Sequence, residues 1–116
     1  MDADLERRFG GIGRLYGDAA LAAFRNASVA VVGIGGVGSW AAEALARCAV
    51  GRITLIDLDM VAESNTNRQI HALEQVYGQA KVDAMADRVR AINPDCEVSC
   101  VEDFVATDNL DQMLDR

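Results

Sequence analysis

The run Gly33-Ile34-Gly35-Gly36-Val37-Gly38 satisfies G-x-G-x-x-G directly behind the apolar stretch "SVAVVG" and directly ahead of the alanine-rich "SWAAEALARCAV". In that setting each glycine of the pattern has a physical task. Gly33 permits a tight turn, Gly35 lets backbone come close to a phosphate, and Gly38 allows a helix to pack closely against a strand. The free N–H groups of a helix start, with their partial positive charge, then favour an anion. Without a ligand the same residues would be a glycine-rich turn and nothing more. A Walker-type loop does not fit, because Ser39 stands where a lysine is required. Asp57 closes a second apolar run about 20 residues after the glycines, where an acidic side chain typically takes ribose hydroxyls. Glycines and one aspartate leave nicotinamide, flavin and ATP users all open.

The next segment narrows the choice. "DLDMVAESNTNRQIH" supplies Asp57, Asp59, Ser64, Asn65, Asn67, Arg68 and a glutamine, more polar chemistry than a plain dinucleotide fold needs there. A solvated surface loop has a similar composition. Lys81 falls in the predicted first turn of a helix, where the positive end of the dipole disfavours a cation. Its placement makes better sense with an anion beside it. Arg68 and Lys81, from separate segments, are predicted to clamp a triphosphate and to stabilise charge on a departing pyrophosphate.

The elements that must position these residues follow from periodicity. Residues 28–33 and 52–59 are apolar runs of strand length, and 96–104 reads as a third strand. Between them, 39–50 is a helix stopped by Gly51. The spacing of Val82, Met85, Ala86, Val89 and Ile92 predicts another helix over 78–94, ended at Asn93-Pro94. A capped helix is expected over 107–116. Ahead of the first strand, a short helix over 4–9 is predicted to break at the glycine cluster 10–13, and a second, capped by Asp18, to carry Leu21 and Phe24 on one face. Residues 1–27 are thus a helical extension, and 28–116 the first half of a Rossmann-like, doubly wound, mostly parallel α/β sheet. No fourth strand follows to lie beside the first. The first strand is therefore expected to present an open apolar edge, in a truncated chain or one covered by another copy.

With 116 residues, 51% hydrophobic and 25% charged, the chain has the composition of one soluble globular domain. Arg25, Glu43 and Arg47 interrupt the alanine-rich regions, so no membrane span is predicted, and "MDADLERRFG" lacks an apolar signal core. A cytoplasmic protein is expected. The net charge of −7 argues against a generic polyanion-binding surface, so any nucleic-acid role must use a few placed cations or sequence that lies outside this chain. Cys48, Cys96 and Cys100 show no C-x-x-C spacing and suit a reducing compartment; Cys96 and Cys100, four apart, should face the same side. His71 is the sole histidine, so no histidine-based metal cluster or triad can form within these residues, and a structural role is expected. Trp40 is predicted to pack over the sheet rather than stack on adenine.

"GIGGVGS", "LIDLDMVAESNTNRQ" and "GQAKVDAM", in that order, resemble the adenylating family related to ubiquitin-activating enzymes, which includes the adenylyltransferases of molybdopterin and thiamine biosynthesis. "RRFGGIGRLYG", "GSWAAEALAR" and "NTNRQIHAL" are similar to its tRNA threonylcarbamoyladenosine dehydratase branch. The resemblance implies that Gly36 lies against the phosphates, Asp57 holds the ribose, and Ser64, Asn65, Asn67 and Arg68 line the site. Lys81 and Arg68 would assist attack on the α-phosphorus, with Asp59 a further polar contact. It implies ATP and Mg2+, a tRNA carrying threonylcarbamoyladenosine whose carboxylate is adenylated, a homodimer, and cysteine desulfurase or sulfur-acceptor partners; the alternative is an adenylyltransferase that activates the C-terminal carboxylate of a ubiquitin-like sulfur carrier. A non-catalytic nucleotide-binding or dimerisation module is the other alternative. The family's magnesium-binding aspartate would lie beyond Arg116, and Gly11 stands where adenylyltransferase relatives carry an arginine that reaches the neighbouring subunit. Arg8 or Arg14 would have to replace it.

Overall fold

The structure, a computed structural model, describes residues 4–114. Three strands, β1 (Ser28–Val32), β2 (Arg52–Ile56) and β3 (Glu97–Val101), form a parallel sheet in the order β1-β2-β3. Val31 pairs with Leu55, and Leu55 with Cys100. The central β2 is the most buried, as befits a strand covered on both sides. Helices α3 (Gly38–Arg47) and α4 (Lys81–Ile92) make the crossovers. Ala42 and Ala46 of α3 and Val82, Met85, Ala86 and Val89 of α4 close the core over Val31, Ile53 and Leu55. The small alanine faces let α3 lie close to both sheet and α4.

Between these helices, the carboxylate of Glu43 accepts from Arg88 Nε (2.9 Å) and from Arg47 Nε (3.0 Å). Hydrogen bonding to Arg88 is the largest effect holding the Glu43 carboxyl below its ordinary value. The clip therefore contributes stability above the ordinary carboxylate range and loses it as pH falls through the lower folded value.

The N-terminal segment departs from expectation. Helix α1 runs unbroken over Leu5–Tyr16, through Gly10, Gly11 and Gly13, and only Gly17 (φ +96°) ends it before α2 (Asp18–Asn26). Each helical glycine costs about 1 kcal/mol relative to alanine. Burial of Phe9 against Leu21 and Ala49, with Leu5, Ile12 and Ile92 at the margin, outweighs that cost. Arg8 adds a tie, its Nη1 donating to the carbonyls of Ala91 (3.1 Å) and Ile92 (2.9 Å) at the end of α4.

β2 and β3 are shorter than their apolar runs suggest, because the chain turns out of the sheet after Ile56 and after Val101. The final helix, α5 (Leu110–Leu114), is likewise brief and buries Met113; residues 107–109 of its predicted span form a turn instead, and 115–116 lie outside the described residues. The open edge foreseen for β1 is present. Val32 is 56% exposed, and a groove of about 580 Å³ runs along β1 beside Gly35, Val37, Ala41 and Leu45. Among the described residues no helix is long and apolar enough to cross a membrane.

A methyl group on Gly38 would lie 1.7 Å from the Gly33 carbonyl oxygen. Gly38→Ala is expected to destabilise the fold by at least about 3 kcal/mol, the upper range of overpacking, as read by urea unfolding. Unchanged stability would show that close helix–strand approach is not what requires this glycine.

Candidate nucleotide site

The turn between β1 and α3 is held from several directions. Gly33, at φ +85°, donates its N–H to Ile56 carbonyl (2.8 Å), so the chain leaves β1 still tied to β2. The N–H of Ile34 donates to Asp57 Oδ2 (2.7 Å), its carbonyl accepts from His71 Nε2 (2.8 Å), and its side chain is fully buried. Ser39, also buried, donates its hydroxyl to the Gly35 carbonyl and accepts from Ile70 N–H (3.3 Å). Above this frame, methyl groups built on Gly35 and Gly36 would meet no protein atom closer than 3.8 and 3.7 Å, ordinary van der Waals contact that leaves room for a side chain.

Asp57 stands at the end of β2 with its second oxygen accepting from Asp59 N–H (2.7 Å). Each carboxylate oxygen keeps a further acceptor site. After Asp59 the chain forms an isolated antiparallel bridge, Met60 with Ala80, reinforced by Val61 N–H to Gln79 carbonyl (2.8 Å) and Lys81 N–H to Asp59 carbonyl (3.0 Å). This clip starts α4 beside the end of β2 and fixes Lys81 as its first residue. Lys81 is 7% exposed, and its ammonium lies 4.0 Å from the exposed Asp59 carboxylate, a loose pair.

Arg68 approaches from the other side. Its Cγ and Cδ lie 3.7 Å from where a Gly36 methyl would sit, and its guanidinium donates to Ser64 carbonyl (3.0 Å) and Asn67 Oδ1 (2.9 Å). Among the described residues it makes no ion pair with a carboxylate. Asn65 is buried in the 3-10 turn Glu63–Asn65, where its Oδ1 accepts from Ala62 N–H (2.8 Å), so its side chain shapes the loop. Gly33 to Gly38, Asp57, Asp59, Arg68 and Lys81 are thus gathered beyond the ends of β1 and β2, with Ser64 and Asn67 orienting Arg68.

Trp40 does not pack over the sheet. It is half exposed, and its indole N–H donates to the Arg68 carbonyl (2.8 Å), which ties the start of α3 to the arginine-bearing loop. Arg8 is tied to α4 of its own chain through Nη1 alone. The cysteines lie apart from the turn. Cys96 is buried in the core and the exposed Cys100 lies against the Val82 carbonyl of α4, and desolvation pushes both thiols up. Among the described residues no cluster of three metal-ligating side chains occurs.

Gln69 and His71 carry a signal that spacing alone did not reveal. Gln69 Oε1 and His71 Nδ1 are buried with no hydrogen-bond partner among the described residues, and Gln69 Nε2 lies 3.8 Å from the Gly35 methyl position. Burial, the largest effect, and the nearby Lys81 charge lower the His71 pKa. His71 is therefore neutral when folded, with Nε2 the protonated nitrogen because a carbonyl accepts from it.

A parallel sheet with a glycine turn opening a helix and an acidic residue closing the next strand defines a Rossmann-like nucleotide-binding protein. Residues 10–116 match the ThiF family, and the chain belongs to it. It is 60% identical over 108 residues to tRNA threonylcarbamoyladenosine dehydratase of Escherichia coli (strain K12), covering 93% of this chain and 40% of that protein. With ubiquitin-like modifier-activating enzyme 5 of Caenorhabditis elegans it shares 43% identity over 94 residues, 79% of this chain and 22% of that protein. The crystal structure of the E. coli dehydratase in complex with ATP superposes with a TM-score of 0.94 at 57% identity, over 99% of this chain and 48% of that one. The chain spans about 40% of the length of the dehydratases it matches.

Two outcomes are expected. His71 binds a proton only in the unfolded chain just below its ordinary pKa of about 6.5, so its neutral burial contributes stability fully above that value and loses it as pH falls toward the lower folded value. Wild type should lose stability relative to His71→Gln as pH drops below about 6.5, and parallel unfolding curves would refute the neutral assignment. Gly36→Ala, with ordinary contacts at 3.7 Å, should change stability by less than about 1 kcal/mol yet weaken ATP binding at least about tenfold, measured by calorimetry.

Proposed function

We propose that this chain carries the nucleotide-binding part of an ATP-dependent adenylating enzyme that acts on threonylcarbamoyladenosine in tRNA. A single observation carries the ATP reading. Arg68, without a carboxylate partner among the described residues, lies against the Gly36 backbone, and the buried Lys81 starts α4 beside Asp59, just past the end of β2. A polyphosphate laid along that backbone would meet N–H groups below and one cation from each neighbouring segment. The tRNA substrate is supported by the similarity to the dehydratases, two of which are at least 50% identical to this chain.

In this reading the substrate carboxylate attacks the α-phosphorus, a mixed anhydride forms, and pyrophosphate leaves. Arg68 and Lys81 stabilise the charge that accumulates on it, an interaction stronger in the transition state than before it. A nitrogen or oxygen of the same modification then attacks the activated carbonyl carbon, closes a ring, and expels AMP, the net change being loss of water. Adenylation helps because it replaces a poor oxide leaving group with a phosphate ester. Asp57 would hold the ribose through the acceptor capacity it retains beside Ile34 and Asp59. Mg2+, where bound, would neutralise phosphate charge, and its expected aspartate ligand lies beyond Arg116; among the described residues no cluster of three metal-ligating side chains occurs.

Lys81→Met tests the clamp. It should lower isotope exchange between pyrophosphate and ATP, in whole protein supplied with modified tRNA, by at least about 100-fold, as removal of one charge-stabilising donor does. Stability should hold or rise, since a buried ammonium with only a 4.0 Å partner contributes little to it. Normal exchange in the variant refutes the clamp, and exchange driven by a ubiquitin-like carrier instead of tRNA moves the enzyme to the carrier-activating branch.

A further inference from the structure

At the opposite end of α3 and α4 from the glycine turn lies a cleft of about 540 Å³ lined by Arg8, Phe9, Arg47, Arg88, Ala91 and Ile92. Three arginines from three helices meet there, and no carboxylate lines it, in a chain with 18 acidic and 11 basic residues. Glu43, nearly buried behind the cleft, neutralises one charge while accepting from both Arg47 and Arg88. Its bonds to Arg47 use Nε and Nη2 (3.0 and 2.8 Å), which leaves the Nη1 side of a guanidinium that is 61% exposed. Arg8 spends Nη1 on the α4 carbonyls and keeps its remaining donors. The result is a local excess of positive charge with fixed, planar donors, the geometry that suits phosphate oxygens.

We infer that this cleft binds the phosphate backbone of RNA and docks the substrate away from the reacting nucleotide. Lys81 and Arg88 are seven residues apart on one helix, a rise of about 10 Å, so one polynucleotide can reach both ends of α4. This acidic chain has no diffuse basic surface for a polyanion, so within it placed arginines are the means of holding one. A guanidinium already held by Glu43 also loses less side-chain freedom on binding than a free surface lysine would. The choice of RNA rests on the proposed tRNA substrate; the excess charge does not.

The test is binding of unmodified tRNA to the whole protein across a series of KCl concentrations, without ATP. Arg47→Gln and Arg8→Gln should each weaken binding several-fold and reduce the slope of log K against log salt by about 1, the double variant by about 2, with ATP affinity unchanged. Arg47→Gln is mostly exposed and leaves Glu43 bonded to Arg88, so it keeps the test valid should Arg8→Gln loosen α1. Arg52→Gln, whose charge is already balanced by Glu97 at 2.6 Å, should leave the slope unaltered. Unchanged slopes in the cleft variants, an equal loss in Arg52→Gln, or displacement of tRNA by inorganic phosphate at matched ionic strength would each overturn the inference. So would loss of binding that merely follows dissociation of an oligomer. Cleft-dependent tRNA binding without pyrophosphate exchange would sink the adenylation reading and leave the cleft; exchange with cleft-independent binding would do the reverse.

Discussion

The Ile34 peptide is the fixed point on which the site is built. Its N–H is held by the Asp57 carboxylate, its carbonyl by the His71 imidazole, and its side chain is sealed in the core. A hydrogen bond to a charged group contributes about 1.5–3 kcal/mol, enough to select one conformation of a glycine-rich turn that would otherwise sample many. Because Asp57 belongs to the end of β2 and His71 to the loop ahead of α4, this one peptide joins three segments. The backbone of Gly35 and Gly36 is therefore presented in a set orientation before any ligand arrives, which spares binding the cost of ordering it.

Placement of the cations follows a similar economy. Lys81 sits at the start of α4, against the helix dipole, and is kept there by its backbone bond to Asp59 and the bridge between Met60 and Ala80. Arg68 is aimed by Ser64 and Asn67 and fastened through its carbonyl by Trp40. Neither cation is neutralised by a close carboxylate, whereas Arg52 is paired at 2.6 Å and Arg88 at 2.9 Å. A buried charge with only a loose partner, as at Lys81, is costly unless an anion visits.

The strand–helix alternation was legible because buried parallel strands are unbroken apolar runs and α4 repeats its apolar residues at helical spacing. Gly33 to Gly38, Asp57, Arg68 and Lys81 were legible because their types and order answer to phosphate chemistry. Other features were hidden because they depend on contacts distant in sequence. The glycines of α1 argue locally for a break, and only the burial of Phe9 against Leu21 and Ala49 overrides them. Trp40 reads as core on size alone, yet the Arg68 carbonyl, 28 residues away, offers its N–H a partner outside the core. The end of β2 is misplaced by apolarity, since Asp57 and Asp59 leave the strand to serve the turn. No periodicity announces that His71 reaches back 37 residues to Ile34.

The four longer helices differ in how their positive ends are compensated. Asp4 caps α1 through the Arg7 N–H (3.0 Å) and Glu6 adds charge in its first turn; α2 has Asp18 and α4 has Asp83 in theirs. Helix α3 has neither a side-chain cap nor an acid in its first turn. Its first turn adjoins Gly35 and Gly36, where an added methyl would meet only ordinary contacts at 3.8 and 3.7 Å. A cap residue there would occupy the space a phosphate needs, and an acid in the first turn would repel it. The missing compensation at α3 thus stabilises nothing in the free chain and becomes favourable only with an anion bound, the condition that the proposed nucleotide reading supplies.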